Sequence, residues 1–362
     1  MRIVHVLGTR PNFVKMAPVI AALRDRMPES EQVIVHTGQH YDRLMSEIFF
    51  EQLGVPAPDH MLEIGSGTHA QQTAKVMERL EPLLIADPPD LVMVPGDVNS
   101  TVAAALTAVK LGIPVGHIES GLRSYDRTMP EEINRILTDA ISDQLYVHSE
   151  EAIGNLEREN IDAGKIHFVG NTMIDSLVAL EDRFRPLEAC REHGLEPGSY
   201  LLVTLHRPAL VDGPLLFEAV AALNAVSEDM PVLFPVHPRT RARLAAEAEV
   251  APGLKLVEPA GYLEFLSLET DAKAVLTDSG GIQEETSYLG VPCFTLRDNT
   301  ERPVTVELGT NTMLGLDPER IREIPALVGE VSTERPEPPP LWDGHAAERI
   351  ADLVAGGPAN AS

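Results

Sequence analysis

Four residues able to move protons stand where apolar runs of this 362-residue sequence end. Asp97, Glu119 and His206 each lie at or just beyond such a run, and Glu131 opens a helical pattern after a proline. Carboxylates and imidazoles in partly buried positions can act as general acids and bases, because their surroundings set their protonation state. These four residues are therefore the candidate catalytic groups.

Each candidate also has a structural interpretation. Asp97 could cap a helix that starts near Ser100, the charge of Glu131 suits a helix N-terminus in any case, and His206 could be a core histidine. Glu119 is the strongest candidate, since a carboxylate at the end of an apolar strand is costly unless it is paired or used.

A second kind of site is indicated by the DSGG segment, which predicts a strand, a tight turn and then a helix starting at Ile282. The backbone N–H groups of Ser279, Gly280 and Gly281 would form a phosphate cradle at the helix N-terminus. Glu285, one helical turn later, could accept hydrogen bonds from ribose hydroxyls. The sequence has neither a P-loop nor a GxGxxG segment, which disfavours an NTPase and a nicotinamide-dependent enzyme.

The charge balance restricts the possible ligands. The chain has 29 Lys and Arg against 55 Asp and Glu, a net charge of −26, so nucleic acid and anionic membranes are poor partners. A small phosphate ligand would need a local group of cations, for which Arg10, Lys15, His206 and Arg302 are the candidates. The sequence has no Asp-x-Asp pair and no metal-type spacing of histidines, so we expect no metal.

Short apolar runs alternate with helical patterns along the chain, which is typical of parallel sheets covered by helices. The predicted strands are 3–7, 32–37, 91–95, 115–118, 144–147, 201–205, 232–236, 254–257, 274–277 and 291–295, with a further short strand in the HFVG segment that starts near residue 166. We predict an α/β fold of two doubly wound, Rossmann-like domains facing a cleft. The predicted domains are residues 1–168 and 169–341, with a C-terminal helix at 342–356. Two distant cysteines, and no apolar run long enough for a membrane helix, suggest a cytoplasmic protein.

The motifs in combination resemble a known family. They are GTRPNFVKMAPV, HTGQHYD, PGDVNST, GHIESGLRS, MPEEINR, VGNTMID, VTLHRP, DSGGIQEE and NTERP, and they run in unbroken order from residue 1 to about residue 330. Together they resemble the non-hydrolysing UDP-N-acetylglucosamine 2-epimerases. The resemblance implies the glycosyltransferase-B fold with a UDP-sugar in the cleft, a homodimer, and a C-terminal helix that packs back toward the first domain.

The resemblance also implies a reaction and a set of roles. UDP-N-acetylglucosamine and UDP-N-acetylmannosamine would interconvert by elimination of UDP to a 2-acetamidoglucal and re-addition, with no cofactor. The implied roles are sugar contacts and proton transfer for Asp97, Glu119 and Glu131; diphosphate contacts for Arg10, Lys15 and His206; a phosphate cradle for Ser279, Gly280 and Gly281; ribose, uracil and further nucleotide contacts for Glu285, Phe265 and Arg302; and an activator site at Gln39, His40 and His237.

Three other activities remain open at this point. Enzymes that epimerise UDP-2,3-diacetamido uronic acids share almost all of these motifs. A hydrolysing 2-epimerase would release N-acetylmannosamine and UDP, and a retaining glycosyltransferase of the same fold would need an acceptor. A UDP-sugar sensor without catalysis is a fourth interpretation. Departures from the family pattern at Ser120, at 208–210 and at Ala260 bear on sugar specificity.

Overall fold

The computed structural model describes residues 1–38, 52–330 and 336–356. The chain divides into two compact units. The N-terminal unit comprises Met1–Ala179 and Pro340–Ser362, and the C-terminal unit comprises Leu180–Pro339. The division falls within a helix that spans Thr172–Phe184, whereas the sequence-based boundary lies at 168/169.

The strands form two sheets. In chain order they are β1 Arg2–Leu7, β2 Glu31–His36, β3 His60–Met61, β4 Leu91–Pro95, β5 Val115–Ile118, β6 Gln144–Val147, β7 Ile166–Phe168, β8 Leu201–Thr204, β9 Val232–Pro235, β10 Leu254–Val257, β11 Ala274–Thr277, β12 Cys293–Thr295 and β13 Asn311–Met313. Every pairing is parallel. Parallel strands need helical crossovers, which accounts for the alternating pattern of the sequence.

The α-helices with described bounds are α1 Arg10–Arg26, α2 His69–Ala86, α3 Asn99–Lys110, α4 Pro130–Ile141, α5 Glu150–Arg158, α6 Thr172–Phe184, α7 Pro208–Val211, α8 Leu215–Asp229, α9 Pro238–Glu247, α10 Tyr262–Thr270, α11 Gly280–Leu289, α12 Val304–Glu307, α13 Ile324–Glu330 and α14 Ala346–Ala355. Within the described part of the chain, no helix is both long and apolar enough to cross a membrane.

Each sheet has one topological switch point. The N-terminal sheet has the order β3-β2-β1-β4-β5-β6-β7 and reverses between β1 and β4. The C-terminal sheet has the order β10-β9-β8-β11-β12-β13 and reverses between β8 and β11. In open α/β sheets, ligands bind beyond the carboxyl ends of the strands at this point. The predicted α/β class with two doubly wound sheets is confirmed.

The central strands are buried on both faces, because helices cover both sides of each sheet. All five residues of β4 and all four of β11 are buried. In the N-terminal unit Val76, Leu80 and Ala104, from α2 and α3, belong to the same buried cluster as Val92 of β4. This burial fixes the strand ends, and therefore the loops that carry the polar residues.

The C-terminal segment belongs to the N-terminal unit, where α14 packs against α1. The α14 helix begins at Ala346, so the expectation of a helix from residue 342 is wrong at its start. The cause is Trp342, whose buried indole Nε1 donates to the carbonyl oxygen of His148 at 2.9 Å. Asp175 then accepts hydrogen bonds from the N–H groups of Ala346 (3.1 Å) and Ala347 (2.6 Å) at the helix start.

Two other predicted bounds are wrong for local reasons. The strand predicted at 291–295 begins at Cys293, because the N–H of Val291 donates to the Thr286 carbonyl and closes α11 instead. Helix α11 begins at Gly280 rather than Ile282, with Ser279 as its N-cap. Strands β3 and β13 have only two and three residues, too few for a recognisable periodicity.

Candidate active site

At the switch point of the N-terminal sheet, the side chain of Asn12 joins the loops that follow β1 and β4. Its Oδ1 accepts from the N–H groups of Gly8 (3.0 Å) and Thr9 (3.1 Å), and its Nδ2 donates to the carbonyl of Pro95 at 3.2 Å. Asn12 is buried. The GTRPN motif therefore holds the two loops together as well as presenting Arg10 and Lys15.

A buried ion pair joins Lys15 of α1 to Glu119, which follows β5 directly. The side chains are only 8% and 7% exposed. Glu119 has φ 67°, a left-handed conformation that is unfavourable for a residue with a side chain and is typical of functional sites. Gly96 makes room for the pair: a Cβ there would lie 3.1 Å from Lys15 Nζ and 3.4 Å from Glu119 Oε2. Backbone strain and buried charge thus coincide at the strongest candidate residue.

Asp97 forms an ion pair with Arg135 of α4, which also contacts Glu132 Oε2 at 2.7 Å. Asn134 Nδ2 donates to the Asp97 carbonyl at 2.8 Å. The N-cap of α3 is Val98 and has no side-chain cap, so the interpretation of Asp97 as a helix cap is wrong. Arg135 is buried while the side chain of Asp97 is 26% exposed, and Asp97 therefore keeps one accessible side.

Glu131 and Glu132 occupy the first turn of α4 and differ in their surroundings. Glu132 is buried and accepts from the N–H groups of Ser124 and Tyr125, each at 2.9 Å. Burial alone would raise the pKa of Glu132, but these hydrogen bonds and Arg135 hold it below its usual range. Glu132 is thus an ionised structural counterion, whereas Glu131 is half-buried.

Behind the strand ends lies a buried network built on Asp139. Its carboxylate contacts His117 Nδ1 at 2.6 Å and Arg123 at 2.7 Å, and it accepts from the N–H of Gly121 at 3.1 Å. Burial acts to raise the pKa of Asp139, but His117 and Arg123 outweigh it and the pKa is lowered. His117 Nε2 lies 2.8 Å from the carbonyl oxygen of Gly96, so this network supports the loop beside Lys15 and Glu119.

At the switch point of the C-terminal sheet, Asp278 organises the loop that follows β8. Its Oδ2 accepts from the N–H groups of His206 (2.9 Å) and Arg207 (2.7 Å), and its Oδ1 lies 3.0 Å from His206 Nδ1. Burial acts to raise the pKa of Asp278, but the contacts with His206 and the backbone hold it below its ordinary value. The side chain of His206 is 62% exposed, so it is not a core histidine.

The DSGG turn leads directly into α11, with Ser279 at the N-cap and Gly280 and Gly281 in the first turn. A Cβ on Gly280 would overlap the guanidinium of Arg302, so glycine allows Arg302 to lie over the start of the helix. The backbone N–H groups of this turn and the positive end of α11 favour an anion. The turn therefore has the properties expected of a phosphate cradle.

Three buried or half-buried arginines gather around Glu301 beside this turn. Its carboxylate lies 2.6 Å from Arg297, 2.6 Å from Arg302 and 3.9 Å from Arg207. Burial and the nearby positive charge of Arg297 lower the pKa of Arg207. Crowded cations of this kind are stabilised by an additional anion.

Glu285 lies on α11 and is buried, and the hydroxyl of Tyr262 donates to its Oε1 at 3.2 Å. Burial raises the pKa of Glu285 to about 8. Phe265, on the same helix as Tyr262, is half-buried. Both predicted nucleotide contacts thus lie in the C-terminal unit with the DSGG turn.

The remaining candidates are more peripheral. Arg10 is exposed at the first position of α1, and His237, just before α9, is also exposed. Gln39 and His40 lie outside the described residues.

The sequence matches the family model described as UDP-N-acetylglucosamine 2-epimerase over residues 22–355. The chain belongs to the UDP-N-acetylglucosamine 2-epimerase family. The family predicted from the motifs is therefore confirmed.

Relatives and solved structures cover nearly the whole chain. A UDP-N-acetylglucosamine 2-epimerase from Methanocaldococcus jannaschii is 43% identical and aligns over 99% of this chain and 100% of its own length. Its crystal structure in complex with UDP-GlcNAc and UDP has a TM-score of 0.87 at 42% identity and the same coverage. The Neisseria meningitidis enzyme bound to UDP-GlcNAc has a TM-score of 0.89 at 30% identity, covering 99% of this chain and 100% of the other. The glycosyltransferase-B-type fold is thus confirmed.

One relative with a different substrate is almost equally similar. The UDP-2,3-diacetamido-2,3-dideoxy-D-glucuronate 2-epimerase of Pseudomonas aeruginosa is 42% identical over 98% of this chain and 99% of its own. Identity alone therefore does not separate the two sugars.

Several residues that contact the candidate groups were not among the sequence-based candidates. Asn12, Arg135 and Arg207 were inside motifs already recognised, GTRPN, MPEEINR and TLHRP, but nothing in the sequence says which neighbour of a motif residue contacts its carboxylate. The His117–Asp139 contact joins residues 22 positions apart and carries no local signal.

Proposed function

We propose that the protein interconverts UDP-N-acetylglucosamine and UDP-N-acetylmannosamine by inverting C2 of the sugar. The observation that carries this proposal is the buried Lys15–Glu119 pair at the N-terminal switch point, close to Gly96 and the ion-paired Asp97. Family membership gives the reaction class, and this geometry supplies carboxylates in defined electrostatic surroundings.

The proposed chemistry is an elimination followed by an addition. A base removes the C2 proton while the C1–O bond to UDP breaks, the C–H electron pair forms the C1=C2 bond, and UDP leaves with the C1–O pair. Addition of UDP to C1 and of a proton to the opposite face of C2 gives the epimer. No net electron transfer occurs, so the balance requires no redox cofactor. A general acid or base contributes roughly 10²–10⁴-fold to such a step.

In the N-terminal unit we assign Asp97, Glu119 and Glu131 to the sugar. Two proton-handling groups are needed, because the proton leaves one face of C2 and returns to the other. Lys15 is paired with Glu119 and can also balance charge that develops on the leaving oxygen. Asp97 retains a solvent-facing side despite its pairing with Arg135, which suits a group that exchanges protons.

In the C-terminal unit we assign the diphosphate to the DSGG turn and its cations. The backbone N–H groups of Gly280 and Gly281, with Arg302 and Arg207, would stabilise the negative charge of departing UDP. His206, held by Asp278, would contact the same phosphates. The ribose would contact Glu285, and the uracil would border Phe265.

A second substrate is supported by the relative from Pseudomonas aeruginosa, which is 42% identical. The same chemistry on a UDP-2,3-diacetamido uronic acid needs the same C2 base and the same UDP cradle. The two substrates differ at C3 and C6, so one protein can be tested with both.

The deciding experiment incubates the full chain with UDP-GlcNAc in D₂O without any acceptor and follows C2 by NMR. We expect deuterium at C2 together with UDP-ManNAc. Free N-acetylmannosamine in equal amount with UDP would indicate the hydrolysing reaction. Exchange with neither UDP-GlcNAc nor the diacetamido uronate in the absence of an acceptor would indicate a glycosyltransferase. Exchange only with the diacetamido uronate would establish the second substrate.

The homodimer, the cytoplasmic location and the activator site at Gln39, His40 and His237 stay predictions.

A further inference from the structure

The VGNTMID motif has no role in the proposed chemistry, yet its loop lines a pocket in the N-terminal unit. The pocket lining includes Lys15, Glu119, His148, Gly170 and Asn171. The enclosed space is about 10 Å³, room for one oxygen-sized group rather than a whole sugar ring. The pocket can therefore take a single polar substituent next to the Lys15–Glu119 pair.

Asn171 contributes a buried hydrogen-bond donor to this pocket. Its side chain is 3% exposed and its Oδ1 accepts from the N–H of Met173 at 2.9 Å. Its Nδ2 has no hydrogen-bond partner among the residues that the structure describes. A buried amide donor left without an acceptor is destabilising, because it has lost its hydrogen bonds to water. Such a donor beside a functional carboxylate indicates an acceptor that comes from a ligand.

The loop that carries Asn171 is held rigidly by the C-terminal segment. Gly170 has φ 92°, and a Cβ on it would overlap the carbonyl oxygen of Leu341. Arg349 of α14 donates to the carbonyl of Val169 at 3.0 Å. The position of the donor is therefore fixed before a ligand binds, which reduces the entropy lost on binding.

The part of the pocket lining formed by His148 is also held in place by its neighbours. The Nδ1 of His148 lies 2.9 Å from Ser149 Oγ, and the Trp342 indole donates to the His148 carbonyl and packs edge-on to its ring. A ring nitrogen of His148 and a carboxylate oxygen of Glu119 lie within 4.8 Å of each other. The pocket thus combines a cation, a carboxylate, an imidazole and a neutral amide donor.

We propose that Asn171 is a further substrate-binding residue, whose Nδ2 donates to an acceptor oxygen on the sugar half of the nucleotide sugar. This rests on the proposed function, since Glu119 is assigned there to the sugar. A neutral amide suits a hydroxyl or N-acyl carbonyl oxygen, while the cations serve the phosphates. The C-terminal segment is then a positioning element for sugar recognition.

The test uses the full chain with Asn171→Asp, which keeps the capping oxygen and replaces the donor by a negative oxygen. Asp caps helices as well as Asn does, but a buried carboxylate is costly, so we expect a folded variant with a somewhat lower melting temperature than the wild type. We expect kcat/KM for UDP-GlcNAc to fall roughly 10- to 100-fold, with UDP affinity by calorimetry unchanged. Asp162→Asn is the matched control, an exposed cap of the same unit whose side chain accepts from Gly164, and it should match the wild type.

Asn171→Ser keeps a capping oxygen without adding charge, and it tests the proposed role of Asn171 if the Asp variant does not fold. Wild-type kinetics in a folded variant would overturn the proposal, and so would an equal loss of UDP affinity, which would place the acceptor in the nucleotide half. If the wild type epimerises neither sugar, the proposed function fails separately. The affinity for UDP-GlcNAc relative to UDP then decides the role of Asn171.

Discussion

The two switch points have the same topology but opposite charge arrangements. At the N-terminal one, each buried cation serves a carboxylate: Lys15 contacts Glu119, and Arg135 contacts Asp97 and Glu132. At the C-terminal one, three arginines crowd around the carboxylate of Glu301, and Arg302 also contacts Glu284 at 3.0 Å. One switch point therefore presents carboxylates that are each paired with a cation, and the other presents a group of crowded arginines.

The difference shows how one architecture supplies two chemistries. Parallel sheets fix where loops emerge, and the residues in those loops determine what is bound. A glycine stands at the key position in both: Gly96 leaves room for the Lys15–Glu119 pair, and Gly280 leaves room for Arg302. This division of roles suits a reaction in which a sugar changes protonation while a diphosphate gains charge.

The largest expected effect comes from removing a carboxylate at the N-terminal switch point. Glu119→Gln and Asp97→Asn keep the shape of the side chain but remove its charge and basicity. We expect turnover of UDP-GlcNAc to fall by roughly 10²–10⁴-fold, while UDP affinity measured by calorimetry survives. Wild-type turnover in either variant would contradict the assigned role. Glu150→Gln, an exposed first-turn carboxylate of α5, is the matched control.

At the C-terminal switch point, we expect a substitution to weaken the binding of UDP. Arg207→Met removes one of the crowded guanidinium groups, and we expect UDP to bind roughly 10- to 100-fold more weakly. Because the change relieves repulsion from Arg297, thermal stability should not fall. Calorimetric titration with UDP measures the first effect and thermal unfolding the second.

A control for charge in general is Arg320→Met, which removes a half-buried arginine of the same unit that contacts Glu323. It should leave UDP affinity unchanged. Equal weakening in both variants would mean that overall charge, rather than the local cluster, governs binding.

The positions of these groups were predictable from sequence wherever strand ends determined them. The apolar runs that end at Pro95, Ile118 and Thr277 correctly placed Asp97, Glu119 and the DSGG turn after the carboxyl ends of their strands. Their partners were not predictable, since the Asp97–Arg135 contact depends on how α4 packs against α3 and β5. The predicted start of the last helix was wrong for the same reason. The hydrogen bond from the Trp342 indole to the His148 carbonyl is a long-range contact that the local sequence does not indicate.

Buried carboxylates in the two units also differ in whether they have hydrogen-bond partners, and Glu269 of the C-terminal unit illustrates this difference. It is fully buried on α10, and neither oxygen has a hydrogen-bond partner among the described residues. Burial, together with the nearby charge of Glu285, raises its pKa well above the ordinary value. Its contribution to stability is therefore present below about pH 4.5 and is lost as pH rises.

Replacing Glu269 by Gln removes this titration while keeping the shape. We expect a gain of about 1–3 kcal/mol in the free energy of unfolding at pH 8 relative to the wild type, and a smaller difference at pH 5. Urea unfolding at both pH values measures it, with Glu264→Gln on the same helix as control. An equal effect at both pH values would show that Glu269 does not titrate in this range.

The smallest expected effect separates two aspartates that each accept from two backbone N–H groups, Asp175 and Asp278. Asp278 also contacts His206, which helps to hold its pKa below the ordinary value, so its contribution is lost as pH falls. Burial raises the pKa of Asp175 from 3.8 to about 6. Its contribution is therefore fully present below pH 3.8 and is lost as pH rises through 6.

Asn substitutions should consequently show opposite pH trends. From pH 4.5 to 7.5, Asp175→Asn should become more stable relative to the wild type by about 1–2 kcal/mol, because the wild type must ionise a buried carboxyl and the amide does not. Asp278→Asn should become relatively less stable as pH rises through the acidic range, since only the ionised carboxylate attracts His206. Parallel trends in urea unfolding would show that the contact with His206 does not distinguish the two sites.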